Sequence, residues 1–157
     1  MSDEMIRALA KNGGVIQINF GSSFVSKQAK DWHDEMGEKR TAYLEANGLE
    51  AHGSEAERFG KEYRVENPFP YATLDQLVAN FEHVINLVGA EHVGIGSDFD
   101  GVGDSLPIGM KDVSYYPALI EELLKREYPV DTIRAIMGGN LLRVWREVEA
   151  YAQKEKG

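Results

Sequence analysis

The sequence predicts an α/β protein with parallel strands, and it also predicts where a site lies. Two short apolar runs, residues 15–20 and 92–96, alternate with longer segments whose apolar residues recur at helical spacing. The second run leads into two carboxylates, Asp98 and Asp100. Because ligands bind at the carboxyl ends of the strands in α/β sheets, we expect a site at these residues.

The chain begins with a predicted helix over residues 2–11 and a predicted strand over residues 15–20. Ser2 is a suitable N-cap, the acidic residues after it complement the helix dipole, and Gly13–Gly14 ends the helix. The strand that follows is rich in β-branched side chains. Asn19 lies at its end, where it is expected to face the same cleft as Asp98.

Residues 21–70 interrupt this alternation with a polar segment. Apolar and aromatic residues at rough helical spacing predict a helix over residues 27–47. Residues 48–70 show little periodicity and contain scattered glycines and prolines, which predicts a surface loop. Such a long connection is unusual in a compact domain and is often functional.

Regular structure is predicted again from Thr73 onward. Thr73 and Gln76 fit a capping box, and they precede a strong apolar stripe that ends at Gly89. The second strand follows. Two or three more helices are then predicted, over residues 114–127, 130–137 and 140–150.

The last two of these helices are separated by Gly138–Gly139. Asn140 is a suitable cap for the final helix. The apolar stripe of that helix is expected to be core, and it consists of Leu141, Trp145 and Val148.

Composition excludes several classes of function. The chain has 157 residues and a formal net charge of −9, which argues against nucleic acid or anionic membranes as main partners. It contains no cysteine, so disulfides, thiol nucleophiles and cysteine-ligated metals are excluded. The acidic N-terminus does not resemble a signal peptide, and no apolar run approaches the roughly 20 residues of a membrane span. These features fit a cytoplasmic protein.

Asp98 is the strongest functional candidate in the chain. A carboxylate at a strand end is suited to metal binding, to acid–base chemistry or to contact with a substrate amine. Asp100 has the same chemistry, but Asp100–Gly101 is also a common turn dipeptide. Gly94 and Gly96 alternate within the strand, which implies close packing there, as in a barrel interior or beside a ligand.

The four histidines show no metal-binding pattern. A catalytic zinc site needs about three converging protein ligands, and no His-x-His, His-x-Asp or His-x-x-x-His pair occurs. His33 and His52 are expected to be solvated, His83 to be a hydrogen-bonded structural residue, and His92 to bond locally. No nucleophilic-serine motif accompanies Ser22, Ser23 or Ser97.

Two predicted strands are too few for a stable parallel sheet. Three explanations remain open. Strands are hidden in the polar segment, or the chain is part of a larger barrel, or copies of the chain assemble.

Several segments together resemble the renal (membrane) dipeptidase family of zinc metallopeptidases. Residues 92–101, HVGIGSDFDG, are similar to the last barrel strand of that family. Residues 2–4 and 12–20 are similar to the approach to the seventh strand and to that strand itself. The other matching segments are residues 109–114 (GMKDVS), 116–120 (YPALI) and 138–144 (GGNLLRV).

The resemblance implies a (β/α)8 TIM-type barrel of the metal-dependent hydrolase kind, which hydrolyses dipeptides at a two-zinc centre. This chain would be its C-terminal part, with the last two strands and the terminal helices. The whole of residues 1–157 would then form one partial domain, with a variable insertion at about 25–65, the last strand at 92–101 and helices at 114–154. Asp98 would contact the substrate amine and handle protons, with weaker candidates in Asp100 and Asn19.

The resemblance also implies what this chain does not carry. The zinc ligands and the substrate-binding arginine of the family would all precede residue 1. We therefore expect no metal ligand in this chain, no bound zinc and no peptidase activity for the chain alone. We expect self-association or a missing N-terminal half as its partner.

Two other functions remain open at this point. Asp98 and Asp100 with Gly101 resemble the nucleophile loop of haloacid-dehalogenase-type phosphatases, although only helices are predicted after them. The chain could also be a non-catalytic module that associates with itself, since a partial barrel exposes strand edges.

Overall fold

A computed structural model describes residues 1–155, in which helices surround a parallel sheet of two strands. The elements are α1 (Asp3–Lys11), β1 (Ile16–Asn19), α2 (Ser22–Val25), α3 (Lys27–Ala46), α4 (Ser54–Glu66), α5 (Leu74–Val88), β2 (Val93–Ser97), α6 (Tyr116–Lys125), α7 (Val130–Arg134) and α8 (Asn140–Glu155). Both predicted strands are confirmed, and so are the N-cap at Ser2 and the capping box at Thr73. No helix of this part of the chain has both the length and the apolar character needed to cross a membrane.

The two strands run in parallel, so their carboxyl ends meet at one edge of the sheet. Ile16 lies opposite Val93, and Ile18 lies opposite Ile95. The register then shifts, which brings Asn19 opposite Ser97. The polar residue that ends β1 therefore lies beside the segment that leads out of β2.

Glycine is required in β2 because β1 passes close to it. A Cβ atom on Gly96 would lie 2.9 Å from the carbonyl oxygen of Gln17 and 3.0 Å from that of Ile18. A Cβ atom on Gly94 would lie 2.9 Å from the side chain of Gln17. The close packing predicted for this glycine pair is therefore with the neighbouring strand, and neither a ligand nor a barrel interior is needed to explain it.

We expect Gly96→Ala to destabilise the chain by about 1–3 kcal/mol, because backbone atoms must move to admit the methyl group. Gly60→Ala is the matched control. Gly60 lies in α4, and a Cβ there would meet no atom within 4 Å. It should stabilise the chain by roughly 0.5–1 kcal/mol, the usual gain for alanine in a helix. Urea denaturation followed by circular dichroism measures both, and equal effects of the two changes would contradict this account.

The core lies between the sheet and the helices α5 and α6. Phe20, directly after β1, is fully buried and packs edge-to-face against Phe81 of α5, with ring centroids 6.3 Å apart. The other fully buried members of this cluster are Leu77, Val78, Val93, Met110, Leu119, Leu123 and Ile136. The apolar stripe predicted for α5 is thus confirmed as the main wall of the core.

The polar segment contains the helices α2, α3 and α4, so the surface loop expected over residues 48–70 is wrong in part. The predicted helix is α3, and it is followed by α4, which packs against it. Trp32 of α3 lies edge-to-face with Tyr63 of α4 at 5.4 Å, and its indole nitrogen donates to the Asn67 carbonyl. These aromatic contacts stabilise α4 despite its internal Gly60. The described residues contain no hidden strand in this segment.

Asn140 does not cap α8, contrary to the prediction. The chain passes from α7 through a π-type turn, Ala135–Gly139, in which Gly138 has a φ of 153°. Asn140 continues this turn in helical geometry, and its buried side-chain amide donates to the carbonyl oxygens of Ala90 and Val93. Its role is therefore to hold the start of β2.

The apolar stripe of α8 is not core, which corrects another prediction. Trp145 is 60% exposed and Val148 is 62% exposed, and Leu141 and Leu142 are also exposed. The stripe has helical periodicity, but in the described chain no element covers it. Periodicity indicates an apolar face without showing which surface covers that face.

Candidate functional site

Asn19 and Asp98 meet where the two strands end. The Asn19 side-chain amide donates to Asp98 Oδ2 at 2.7 Å. Alternation along β1 directs Ile18 and Phe20 into the core, which places Asn19 on the other face of the strand. The register shift then aligns Asn19 with the residue before Asp98. The structure thus brings together two of the three residues that the sequence singled out.

The orientation of Asn19 is fixed from both sides. Its Oδ1 atom accepts a hydrogen bond from the Gly21 backbone N–H at 2.8 Å, while its nitrogen donates to Asp98. An amide side chain has one acceptor and one donor end, so these two partners select a single orientation. The arrangement fixes the Asp98 carboxylate without neutralising its charge.

Asp98 lies on unusual backbone. Ser97 and Asp98 have φ values of 37° and 67°, in the left-handed region that residues other than glycine rarely occupy. Such conformations cost roughly 1–3 kcal/mol each and cluster at functional sites. Surrounding contacts hold them here, since the Ser97 hydroxyl bonds the Tyr116 hydroxyl at 2.9 Å and the Phe20 N–H donates to the Ser97 carbonyl.

The turn after Asp98 sends alternate side chains inward and outward. Phe99 packs edge-to-face against Phe20 at 5.8 Å, and it also contacts Tyr116. Asp98 and Asp100 on either side of it are exposed. The Gly101 N–H donates to the Asp98 carbonyl, so Asp100 lies within a tight turn. A Cβ on Gly101 would collide with Asp98 Oδ1, so this glycine makes room for the carboxylate.

The loop after this turn is tied down by a cluster that the sequence analysis did not identify. The Tyr71 hydroxyl donates to Asp104 at 2.6 Å, and Lys111 donates to the Leu106 carbonyl at 2.7 Å. The hydrogen bond from Tyr71, with smaller contributions from Lys111 and Arg64, holds the pKa of Asp104 below its ordinary value. Asp104 is therefore ionised at neutral pH. Residues so distant in sequence carry no local signal of this contact.

The buried Ser22 has a structural role. Its hydroxyl accepts from the Ala72 N–H at 3.0 Å, and its own N–H donates to the Ser105 carbonyl at 2.7 Å. It joins the end of β1 to the loop that follows β2.

The described residues do not fit a zinc centre. Within residues 1–155 no three histidine, aspartate or glutamate side chains come together in a group that could hold a metal ion. His83 donates to Asp3 at 2.8 Å. His92 donates to the Gly14 carbonyl, which is distant in sequence, so the local bond expected for it is wrong. His33 and His52 are exposed.

Comparison with known proteins places the chain in a family. The profile of the membrane dipeptidases, peptidase family M19, matches residues 1–157. The chain belongs to this family. It is 32% identical over 151 residues to an uncharacterized dipeptidase of Schizosaccharomyces pombe, a match that covers 96% of the chain and 27% of that protein. It is 41% identical over 87 residues to dipeptidase 3 of Mus musculus, covering 55% of the chain and 17% of that protein.

Solved structures agree with this family assignment. The probable dipeptidase PvdM from Pseudomonas aeruginosa is 27% identical, with a TM-score of 0.69 over 96% of this chain and 41% of that one. The dipeptidase AC, a metallopeptidase of family M19, is 21% identical, with a TM-score of 0.58 over 90% of this chain and 29% of that one. At this identity, the likeness shows the fold alone. This M19 chain therefore spans well under half the length of these relatives.

Proposed function

We propose that this chain forms the amine-binding side of a metallo-dipeptidase site, with Asp98 as the residue that contacts the substrate ammonium and handles protons. One observation carries the proposal. In a chain of family M19, an exposed carboxylate is held by Asn19 at the shared carboxyl edge of two parallel strands. That edge is where α/β proteins bind their ligands.

The chemistry of the pair suits this role. An ionised carboxylate can accept about four hydrogen bonds, and Asn19 uses one of them. The others are free for a substrate ammonium, which forms strong charge-assisted hydrogen bonds with carboxylates. Asn19 orients the carboxylate as a positioning residue. Asp100 has a weaker claim to substrate contact, since it lies in the turn beyond.

The proposal includes a metal centre completed by residues outside this chain. Residues 1–155 contain no metal-binding group, and the relatives are two to six times longer than the parts that match. We therefore expect no activity from the chain alone, and we expect its two strands to belong to a (β/α)8 barrel with further strands. A phosphatase is less favoured, because residues 98–155 form helices and turns without the later strands that such a loop would need.

Two surfaces support association with further chain, either a second copy or an N-terminal half. The sheet consists of β1 and β2 only, so each strand has an unpaired edge in the described chain. A groove of about 280 Å³ runs beside β1 and is lined by Ile16, Ile18 and Asn19, among others. The uncovered apolar face of α8 is a second such surface.

Amine binding can be tested without turnover. Glycylglycine should shift the NMR signals of the Asn19 side-chain amide in the isotope-labelled chain, whereas N-acetyl-glycylglycine, with its amine blocked, should not. Asp98→Asn removes the negative charge at constant shape and should abolish the shift. The matched control Asp34→Asn, on the exposed surface of α3, should leave it unchanged. Equal shifts from both peptides would contradict the role of Asp98.

A zinc-supplemented assay with a panel of dipeptides tests the second part of the proposal. No hydrolysis is expected from the chain alone, with or without Asp98→Asn. Zinc-dependent hydrolysis that is lost in Asp98→Asn would show that these residues assemble a metal site, and it would overturn the proposed division of the site between two parts.

A further inference from the structure

A cavity of about 280 Å³ lies beside the Asp98 end of the sheet and is not used by the function proposed above. It combines hydroxyl groups, an imidazole and a cation with apolar side chains. The lining residues used in the argument are Ser23, Phe24, His33, Arg64, Phe69 and Val102.

Its walls come from four parts of the chain. Ser23 and Phe24 follow the end of β1, and Val102 follows the end of β2, so two walls belong to the carboxyl edge of the sheet. His33 of α3 and Arg64 of α4 complete the cavity from the inserted helices. The insertion thus contributes the charged wall of this cavity, and the other walls follow the two strand ends where the candidate site lies.

The cavity adjoins the Asn19–Asp98 pair. A Cβ on Gly21 would lie 3.0 Å from Phe24, 3.1 Å from Val102 and 3.3 Å from Asn19 Oδ1. Gly21 alone therefore separates the apolar wall from Asn19 at this point. Gly101, which also lines the cavity, is in van der Waals contact with the Asp98 carboxylate. A small molecule whose amine is at Asp98 can therefore extend into this cavity.

Arg64 is placed to bind an anion there. Its guanidinium carbon lies 5.3 Å from the ring centroids of both Trp32 and Phe69, so two aromatic side chains restrict its position. Within the described residues no carboxylate lies at ion-pair distance from it, although the charge of Asp104 acts on it from farther away, whereas Arg58 on the same helix pairs directly with Glu55 at 2.7 Å. A guanidinium that is restricted in position and makes no direct ion pair can bind the two oxygens of a ligand carboxylate.

We propose that this cavity binds the side-chain carboxylate of an acidic residue at the amine-bearing position of a dipeptide. Arg64 supplies the countercharge, and Ser23 and His33 donate hydrogen bonds. The apolar wall of Phe24 and Val102 contacts the methylene groups of the ligand side chain. The inference rests on the proposed function, because Asp98 is what places the amine next to the cavity.

Binding of two isosteric peptides tests this specificity directly. L-Glu-Gly and L-Gln-Gly differ only in the charged side chain, and the Trp32 indole N–H, bonded to Asn67, reports on the cavity by NMR. Trp145→Phe removes the other tryptophan signal and assigns the spectrum. The glutamyl peptide should bind about tenfold more tightly, the scale expected for one charge-assisted hydrogen bond. Arg64→Met should remove this preference, while the control Arg58→Met keeps it.

The outcomes separate this inference from the proposed function. Equal affinities for the two peptides, or a preference that survives Arg64→Met, would overturn the inference, and so would no binding of either peptide. Asp98→Asn should weaken the binding of both peptides by the same factor, so that the chain still prefers L-Glu-Gly to L-Gln-Gly. If Asp98→Asn has no effect while Arg64→Met removes the preference, the cavity binds acidic side chains and the proposed role of Asp98 fails.

Discussion

Phe20→Ala should destabilise the chain by about 3–5 kcal/mol, the range for removing a buried aromatic ring. Phe20 is fully buried and packs edge-to-face against both Phe81 and Phe99. Its removal leaves a cavity between the sheet and α5, which the surrounding helices can fill only in part. Because a small domain is stabilised by only about 5–15 kcal/mol in total, this loss is a large fraction of its stability.

Phe24→Ala is the matched control for this change. Phe24 is the same residue type four positions later, but it is 66% exposed. Its removal should change stability by less than about 0.5 kcal/mol, as for most surface substitutions. Urea denaturation of both variants gives the two free energies of unfolding. Similar losses would contradict the assignment of Phe20 to the core.

Phe20→Ala should also disturb the candidate site, because the same ring supports it. Phe99 directly follows Asp98, and it rests on Phe20 from one side and on Tyr116 from the other. Without this support, the strained backbone at Ser97 and Asp98 loses one of the contacts that hold it. The NMR signals of the Asn19 amide should therefore broaden or shift in Phe20→Ala, while those in Tyr151→Ala, which removes an exposed aromatic ring on α8, stay as in the wild type.

The elements around the sheet were predictable because their signals are local. The capping box at Thr73, the stripe of α5 and the short β-branched run of β1 each lie within a few residues of sequence. The meeting of Asn19 and Asp98 followed from one topological rule, that parallel strands end at the same edge. Whether these residues bind substrate stays a prediction, since geometry alone does not identify a ligand.

The features that sequence analysis missed depend on contacts between distant residues. Helix α4 contains Gly60 and was expected to be loop, yet its aromatic residues pack on α3 and stabilise it. Arg64 has no motif around it, and its position between Trp32 and Phe69 exists only once both helices have packed. The error for α8 is of a different kind. Its sequence periodicity correctly indicated an apolar face, but that face was expected to be core, and no described residue covers it.

Asn140→Asp should destabilise the chain by about 3–5 kcal/mol at neutral pH, the cost of an uncompensated buried charge. Both hydrogens of the Asn140 amide are used, one on the Ala90 carbonyl at 2.7 Å and one on the Val93 carbonyl at 2.8 Å. An isosteric carboxylate has no donor and faces two carbonyl oxygens instead. Asn47→Asp is the control, because the Asn47 side-chain amide makes a similar bond to the Tyr43 carbonyl at the exposed end of α3. This change should lower the free energy of unfolding by less than about 1 kcal/mol.

The pH dependence of the Asn140→Asp deficit identifies its cause. Burial beside two carbonyl oxygens raises the pKa of the introduced carboxyl above its unfolded value of about 3.9. With a raised pKa in the folded state, the carboxyl becomes protonated as the pH falls, and the protonated form can donate one hydrogen bond. The variant therefore regains stability in acid. It loses this gain as the pH rises through the pKa of the folded state. Compared with the wild type at each pH, the deficit should therefore shrink in acid. A deficit no larger than that of Asn47→Asp, or one independent of pH, would show that β2 is held at Val93 by something other than this amide.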